Sequence, residues 1–134
     1  MIHSVLRILR PGGRFVMINI CPREMPGWLI YRTFPAAWQA DLDDFMAYDD
    51  IVGHMERAGF ANIQVDLKQI TSRKTWAGFA QTARRRDTCS QLITISDADY
   101  AAGLAHLKAE LARGADQMVD DKVCLLTICA DRTF

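Results

Sequence analysis

The chain has 134 residues, 50% of them hydrophobic and 24% charged, a composition typical of one soluble globular domain with a modest core. Sixteen basic and sixteen acidic side chains give a formal net charge of zero, so no global field favours nucleic acid or an anionic membrane as a partner. No apolar run approaches the roughly 20 residues that span a bilayer, and no secretion signal opens the chain. We expect a cytoplasmic protein that binds neither nucleic acid nor membrane.

The start of the chain predicts a helix followed by a strand. Apolar residues recur at helical spacing: Ile2, Val5, Leu6 and Leu9. The helix should end at residues 10–13, because Pro11 disfavours helix in the residue before it and two glycines permit a tight reversal. The run Phe15–Cys21 is apolar on both faces, which predicts an interior strand of a parallel sheet covered on both sides.

The next stretch predicts mostly helix. Residues 22–45 are rich in aromatic side chains and interrupted by prolines, which indicates one or two short helices around a bend. Asp49 or Asp50 is expected to cap a helix over residues 51–58, and Gly59 fits the left-handed position after it.

The second half of the chain predicts two strands and two helices. Ile63, Val65 and Leu67 alternate with polar residues, which indicates a strand with one wet face or an edge strand. A helix is expected over residues 76–83, and a capping box at residues 96–99 opens another that ends near residue 114. Residues 123–130 are apolar on both faces and predict a second interior strand. This order of elements predicts a layered α/β fold.

Two segments resemble a known family. The segment Leu-Arg-Ile-Leu-Arg-Pro-Gly-Gly-Arg-Phe-Val at residues 6–16 resembles a signature of S-adenosylmethionine-dependent methyltransferases, in which a helix ends in this turn and leads into the fifth of seven strands. Residues 51–65, with Ala58, Gly59 and Phe60, resemble the passage into the sixth strand, and residues 123–130 would be the seventh. The chain therefore resembles the C-terminal half of a Rossmann-like methyltransferase domain.

The resemblance implies a particular strand order. In the family the seventh strand lies antiparallel between the fifth and the sixth, so this chain is expected to form a partial sheet of about three strands in the order first, third, second, with helices packed on it. The polarity pattern agrees, since only the second strand alternates as an edge strand does.

The sequence lacks the motif with which the family binds its cofactor. None of the eight glycines forms a Gly-x-Gly-x-Gly loop between a strand and a helix. We therefore expect residues 1–134 to be the C-terminal half of a domain without its cofactor-binding half, either as a fragment or as a chain that completes another polypeptide's sheet. The resemblance implies S-adenosylmethionine for the full-length family and no cofactor for this chain alone.

Candidate substrate-binding residues come from the segment after the first strand, which in the family commonly lines the pocket of the methyl acceptor. They are Asn19, Cys21, Trp28, Tyr31 and Arg32. Each has an alternative role: Asn19 could satisfy nearby backbone groups, the two aromatic side chains could pack in the core, and Arg32 could be solvated. No catalytic residue and no cofactor-binding residue is predicted.

Metal and anion sites are weakly supported. The four cysteines form no Cys-x-x-Cys pair, and Cys124 and Cys129 lie five residues apart in a strand, which points them to opposite faces. The histidines are scattered, so no metal ligand is predicted. The basic run at residues 84–86 is expected to be a solvated helix end, with a phosphate-bearing partner as the alternative.

The favoured function is therefore that of a methyltransferase C-terminal fragment, which acts on an unidentified small molecule and is inactive alone. The alternative is a non-catalytic binding or assembly module. It would form a homo-oligomer, or bind a partner chain, through the exposed edge of the strand at residues 15–21. A third reading, an unrelated enzyme with a pocket at residues 28–38, lacks a visible nucleophile and base.

Overall fold

A computed structural model of the protein describes every residue from Met1 to Phe134. The helices are α1 (Ile2–Ile8), α2 (Leu29–Thr33), α3 (Pro35–Asp44), α4 (Tyr48–Ala58), α5 (Trp76–Ala83), α6 (Ser90–Ile93) and α7 (Asp97–Gly114). The strands are β1 (Arg14–Ile20), β2 (Phe60–Thr75) and β3 (Met118–Arg132), and single 3-10 turns lie at Pro22–Glu24 and Arg86–Thr88. None of the helices has the length and hydropathy needed to cross a bilayer.

The last strand lies in the middle of the sheet. The strand order is β1-β3-β2. β3 runs antiparallel to β1, with a register from Arg14 opposite Asp131 to Ile20 opposite Leu125. This confirms the predicted α/β fold, the order first, third, second, and the antiparallel direction of the last strand. β2 is an edge strand, as its alternating pattern predicted.

β1 lies at the other edge, because β3 is its one partner. Val16 is 50% exposed and Ile18 is 66% exposed. The prediction that this strand is interior to a parallel sheet and covered on both sides is therefore wrong for this chain. A doubly apolar pattern shows that both faces of a strand suit burial, but whether a neighbouring strand and a covering layer are present depends on the rest of the fold.

The chain divides into two compact units. Unit 1 comprises Met1–Cys21, Met46–Lys68 and Cys124–Phe134, and unit 2 comprises Pro22–Phe45 and Gln69–Val123. The strands β2 and β3 each contribute residues to both units.

In unit 1, α1 packs on α4, and the core includes Met55 of α4 and Ile128 of β3, both fully buried. Phe15 of β1 and Phe60 of β2 lie with their ring centroids 6.0 Å apart. Gly59 adopts a φ of 99° directly after α4, which confirms the predicted left-handed position.

The two-glycine turn joins α1 to β1. Gly12 has a φ of 77°, and its N–H donates to the carbonyl of Arg132 at 2.7 Å. A Cβ on Gly13 would lie 2.8 Å from the carbonyl oxygen of Arg10, closer than a side chain tolerates. Both positions therefore require glycine, for different reasons.

A network of side-chain hydrogen bonds joins the three strands of unit 1. Arg14 of β1 donates from Nε to Oδ1 of Asp131 at 2.8 Å, and Asn62 of β2 donates from Nδ2 to Oδ2 of the same carboxylate at 3.1 Å. The hydrogen bond from Arg14, and after it that from Asn62, lowers the pKa of Asp131. Asn62 holds a φ of 52°, a conformation that asparagine adopts more readily than most residues.

Unit 2 consists largely of helices. Trp76, Phe79 and Ala83 are buried on one face of α5, which packs on α7. The helix α7 begins as predicted: Oγ of Ser96 accepts from the N–H of Asp99 at 3.1 Å and donates to its carboxylate at 2.9 Å. The helix over residues 76–83 and the one that ends at Gly114 are thus both confirmed.

Two expectations about caps and charges need correction. The residue before α4 is Ala47, and Asp49 and Asp50 lie in the first turn of the helix, where acidic side chains favour the positive end of the helix dipole without capping it. Arg86 is not part of a solvated helix end. Its guanidinium donates to the carbonyls of Leu92 and Ile95 and to the carboxylate of Asp97.

Candidate functional site

The candidate substrate-binding residues fall in two units. Asn19 and Cys21 belong to unit 1, whereas Trp28, Tyr31 and Arg32 belong to unit 2. Each group is therefore described within its own unit.

Asn19 lies near the end of β1 and is exposed. Its Oδ1 accepts a hydrogen bond from the N–H of Ile20 at 2.9 Å. In the antiparallel ladder the N–H of Cys21 donates to the carbonyl of Cys124 at 2.9 Å, so alternation points the N–H of Ile20 away from β3. Asn19 thus satisfies a backbone donor at the open edge of β1. Its predicted contact with a substrate stays a prediction, as does that of the buried Cys21.

The open edge of β1 carries more than this one donor. By the same alternation, the backbone groups of Arg14, Val16 and Ile18 also point away from β3. The side chains of Val16 and Ile18 are the exposed apolar groups described above. An edge strand with free backbone groups and apolar side chains is a template for another strand.

Tyr31 lies in the core of unit 2. Its side chain is buried, and its hydroxyl donates to Oδ2 of the buried Asp41 at 2.5 Å. Burial, and after it the hydrogen bond to Asp41, raises the pKa of Tyr31 well above its usual range, so the phenol keeps its proton. Trp28 meets the ring edge-on at a centroid distance of 4.7 Å. The half-buried Trp38 donates from Nε1 to the carbonyl of Pro22 at 2.9 Å.

Asp121 fixes the start of the helix that carries Tyr31 and Arg32. It is almost fully buried in β3. Oδ1 accepts from the N–H of Leu29, the first residue of α2, at 2.9 Å, and Oδ2 lies 2.7 Å from Nζ of Lys74. The carboxylate therefore satisfies a donor that the short helix leaves without an internal partner. The sequence analysis did not single out Asp121, although it is an acid within a strand, which is an unusual position.

Arg32 is exposed and lines an open polar cleft of about 520 Å³ in unit 2. Its Nη1 donates to the carbonyl of Asp120 at 3.1 Å. Nε of Arg73 lies 3.4 Å from the carboxylate of Asp120. Lys122 completes a set of three cations around the cleft. Its backbone N–H donates to the carbonyl of Gly27 at 3.2 Å. The sequence analysis did not predict Arg73 and Lys122 as site residues, because strand pairing brings them to Arg32 from distant parts of the chain.

An apolar cavity of about 490 Å³ lies in unit 1. α1 and α4 contribute Ile2, Val5, Ile51 and Met55, and the sheet contributes Phe15, Met17 and Phe60. His3 and His54 contribute imidazole rings to its lining. No three His, Cys, Asp or Glu side chains in the structure are grouped so that they could hold a metal ion.

No protein-family model matches the chain, and no curated protein gives a significant sequence match. Among solved structures, the "putative methyltransferase" of Bacillus halodurans C-125 aligns over 99% of this chain at 10% identity, with a TM-score of 0.50. Phosphoethanolamine N-methyltransferase 2 of Haemonchus contortus aligns over 99% of this chain at 17% identity, with TM-scores of 0.37 and 0.39 for two complexes.

The chain spans only part of these proteins. It covers 62% of the Bacillus halodurans chain and 29% of the Haemonchus contortus chain. At such low identity the likeness to the Bacillus halodurans protein shows the fold alone. The resemblance read from the sequence is confirmed at that level: the chain has the fold of the matching part of a methyltransferase-like structure.

Proposed function

We propose that this chain is the C-terminal part of an S-adenosylmethionine-dependent methyltransferase domain that acts on a small molecule. The observation that carries the proposal is the position of β3, which runs antiparallel to β1 and lies between it and β2. The family implies this order through its fifth, seventh and sixth strands. The glycine turn at residues 10–13 enters the sheet at the strand where the family's pattern predicts it.

The open edge of β1 supports the same proposal. A methyltransferase sheet continues beyond its fifth strand, so the edge backbone groups and the exposed side chains of Val16 and Ile18 suit a further strand. In this proposal the missing strands also carry the cofactor.

The chain's own residues do not fit S-adenosylmethionine. The family binds it at a glycine-rich loop after a strand, whereas β1 is followed by Cys21 and Pro22, and β2 runs directly into α5. The two glycines with positive φ, Gly12 and Gly59, both follow helices. No step of methyl transfer is therefore assigned to this chain. It would contribute to holding and shielding the acceptor, which a displacement at a methyl group requires.

The cofactor test is calorimetry. Purified chain titrated with S-adenosylmethionine or S-adenosylhomocysteine should give no saturable micromolar binding, because the backbone cradle for the cofactor is absent. Saturable binding by the isolated chain would contradict this division of labour. If the codons preceding Met1 encode, in frame, a strand followed by a glycine-rich loop, the longer product should bind the cofactor. A longer product that contains such a loop and still fails to bind would contradict the methyltransferase proposal itself.

The open edge also supports a second function, a non-catalytic assembly module that pairs with another copy through β1. Edge-to-edge pairing would cover Val16 and Ile18 and satisfy the outward backbone groups. This proposal needs no cofactor, so it is tested separately.

Replacing Ile18 by lysine tests self-assembly through β1. If copies pair through β1, the wild-type chain is a dimer or larger by light scattering, and Ile18→Lys is a monomer at the same concentration, because a charge on the edge opposes pairing. Ile93→Lys is the matched control, since Ile93 is 56% exposed and lies on α6, which is not part of the sheet. A wild-type chain that stays monomeric at high concentration would rule out self-assembly through this edge.

A further inference from the structure

The polar cleft of unit 2 has an excess of positive charge. Three cations line it, Arg32, Arg73 and Lys122, against the single carboxylate of Asp120. The net charge of the whole chain is zero, so this excess is local. A concave surface lined by one sign of charge concentrates the field and attracts ions of the opposite sign.

Only one of the three cations is paired with a carboxylate. Arg32 is held through Nη1 by a backbone carbonyl, which bears no formal charge. Asp120 pairs with Arg73 at 3.4 Å, a long contact between side chains that are 64% and 54% exposed. No carboxylate pairs with the ammonium of Lys122. Most donors of the two guanidinium groups and all those of the ammonium are therefore available to a ligand.

Backbone contacts fix the cleft's shape. The N–H of Lys122 donates to the carbonyl of Gly27, and a Cβ on Gly27 would lie 3.2 Å from Cβ and from Cδ of Lys122. The stem of the lysine therefore packs against the glycine backbone. The start of α2, three residues before Arg32, is held by Asp121. Arg32 therefore lies on a helix whose start is fixed, and Lys122 lies on β3 with its stem packed against Gly27.

We propose that this cleft binds the phosphate group of a small molecule. Two guanidinium groups offer paired N–H donors that match phosphate oxygens, and the ammonium adds a point charge. Three cations on one open cleft of about 520 Å³ suit a single phosphorylated compound, whereas a nucleic acid would need a longer basic track. The inference concerns unit 2 alone and goes beyond methyl transfer, so it stands or fails independently of cofactor binding.

The test is a titration of the full chain with inorganic pyrophosphate. Calorimetry measures the affinity, and NMR of the backbone amides locates the binding site. We expect saturable binding that weakens as salt is raised, with shifts confined to residues around the cleft. Arg32→Gln, Arg73→Gln and Lys122→Gln should each weaken binding by about tenfold, the equivalent of one lost charge-assisted contact. Arg84→Gln should leave the affinity unchanged, because Arg84 is exposed but does not line the cleft.

Several results would overturn the proposal. One is an equal affinity in the three cleft variants and in Arg84→Gln, with unchanged circular dichroism in all four. Another is binding of succinate as tight as that of pyrophosphate, which would remove the preference for phosphate. A third is a single-stranded oligonucleotide that binds with shifts spread over the surface, since that would indicate an extended basic face. Because each glutamine variant is at an exposed side chain, loss of folding should not obscure the comparison.

Discussion

Replacing Gly103 by alanine should destabilise unit 2 by about 1–3 kcal/mol, the usual cost of overpacking a core. Within a helix this change normally stabilises by about 0.5–1 kcal/mol, because glycine loses more backbone freedom on folding. In α7, however, a Cβ on Gly103 would lie 2.0 Å from Cδ1 of Phe34. The Phe34 ring is 1% exposed and stacks on Tyr100 at a centroid distance of 5.6 Å, so it has little room to move.

Urea unfolding would measure the change. Gly114→Ala is the matched control in the same helix, because its new Cβ would lie 3.5 Å from Cβ of Gln117, an ordinary contact. We expect the control to be neutral or slightly stabilising. Phe34→Leu should lessen the cost of Gly103→Ala in a double-mutant cycle, since it removes ring atoms from the clash. Two glycine variants that are equally stable would show that the close approach of Phe34 to α7 is not required.

Replacing Asp121 by alanine should lower the free energy of unfolding of unit 2 by about 2–4 kcal/mol. The change removes a buried, hydrogen-bonded carboxylate and leaves its partners unsatisfied. Two partners are lost at once: the N–H of Leu29 at 2.9 Å and the ammonium of Lys74 at 2.7 Å. Lys74 is 47% exposed and can be hydrated instead, which places the expected loss below that of a fully buried pair. The measurement is denaturant unfolding, with amide exchange at Leu29.

Two comparisons separate the causes. Asp121→Asn keeps an oxygen that can accept from Leu29 and should lose less than Asp121→Ala. Asp120→Ala removes the adjacent carboxylate, which is 54% exposed and 3.4 Å from Arg73, so it should cost at most about 1 kcal/mol, as exposed pairs do. Equal losses at positions 120 and 121 would mean that the buried hydrogen bond to α2 has no special weight.

The strand order was predictable because the resemblance to the methyltransferase family implies it and the polarity pattern agrees with it. The alternating pattern of Ile63, Val65 and Leu67 marks β2 as an edge, and the doubly apolar run at residues 123–130 marks β3 as interior. Local signals at helix ends were equally informative. Gly59 and the Ser96 cap act on backbone groups within a few residues, so tertiary contacts had little power to change them.

The candidate site was less predictable. The sequence identified the segment with Trp28, Tyr31 and Arg32, but it did not show that Tyr31 is buried on Asp41 or that Arg32 faces the cleft. Arg73 and Lys122 were not predicted as site residues, because they reach the cleft only through the pairing of β2 with β3. Asp49 and Asp50 failed as caps because α4 begins at Tyr48, before both of them, with Ala47 as its N-cap.

The sequence by itself predicted most of the helices and strands and the glycine turn, because periodicity and turn chemistry act between residues that are near in the chain. The place of β3 was implied by the resemblance to the methyltransferase family. Only the tertiary structure decided that β1 lies at an edge and that the Phe34 ring packs against Gly103. It also decided that Asp121 accepts a hydrogen bond from the start of α2 and that three cations line one cleft. Each of these depends on residues far apart in sequence, and their distances are set by packing and strand pairing rather than by local pattern.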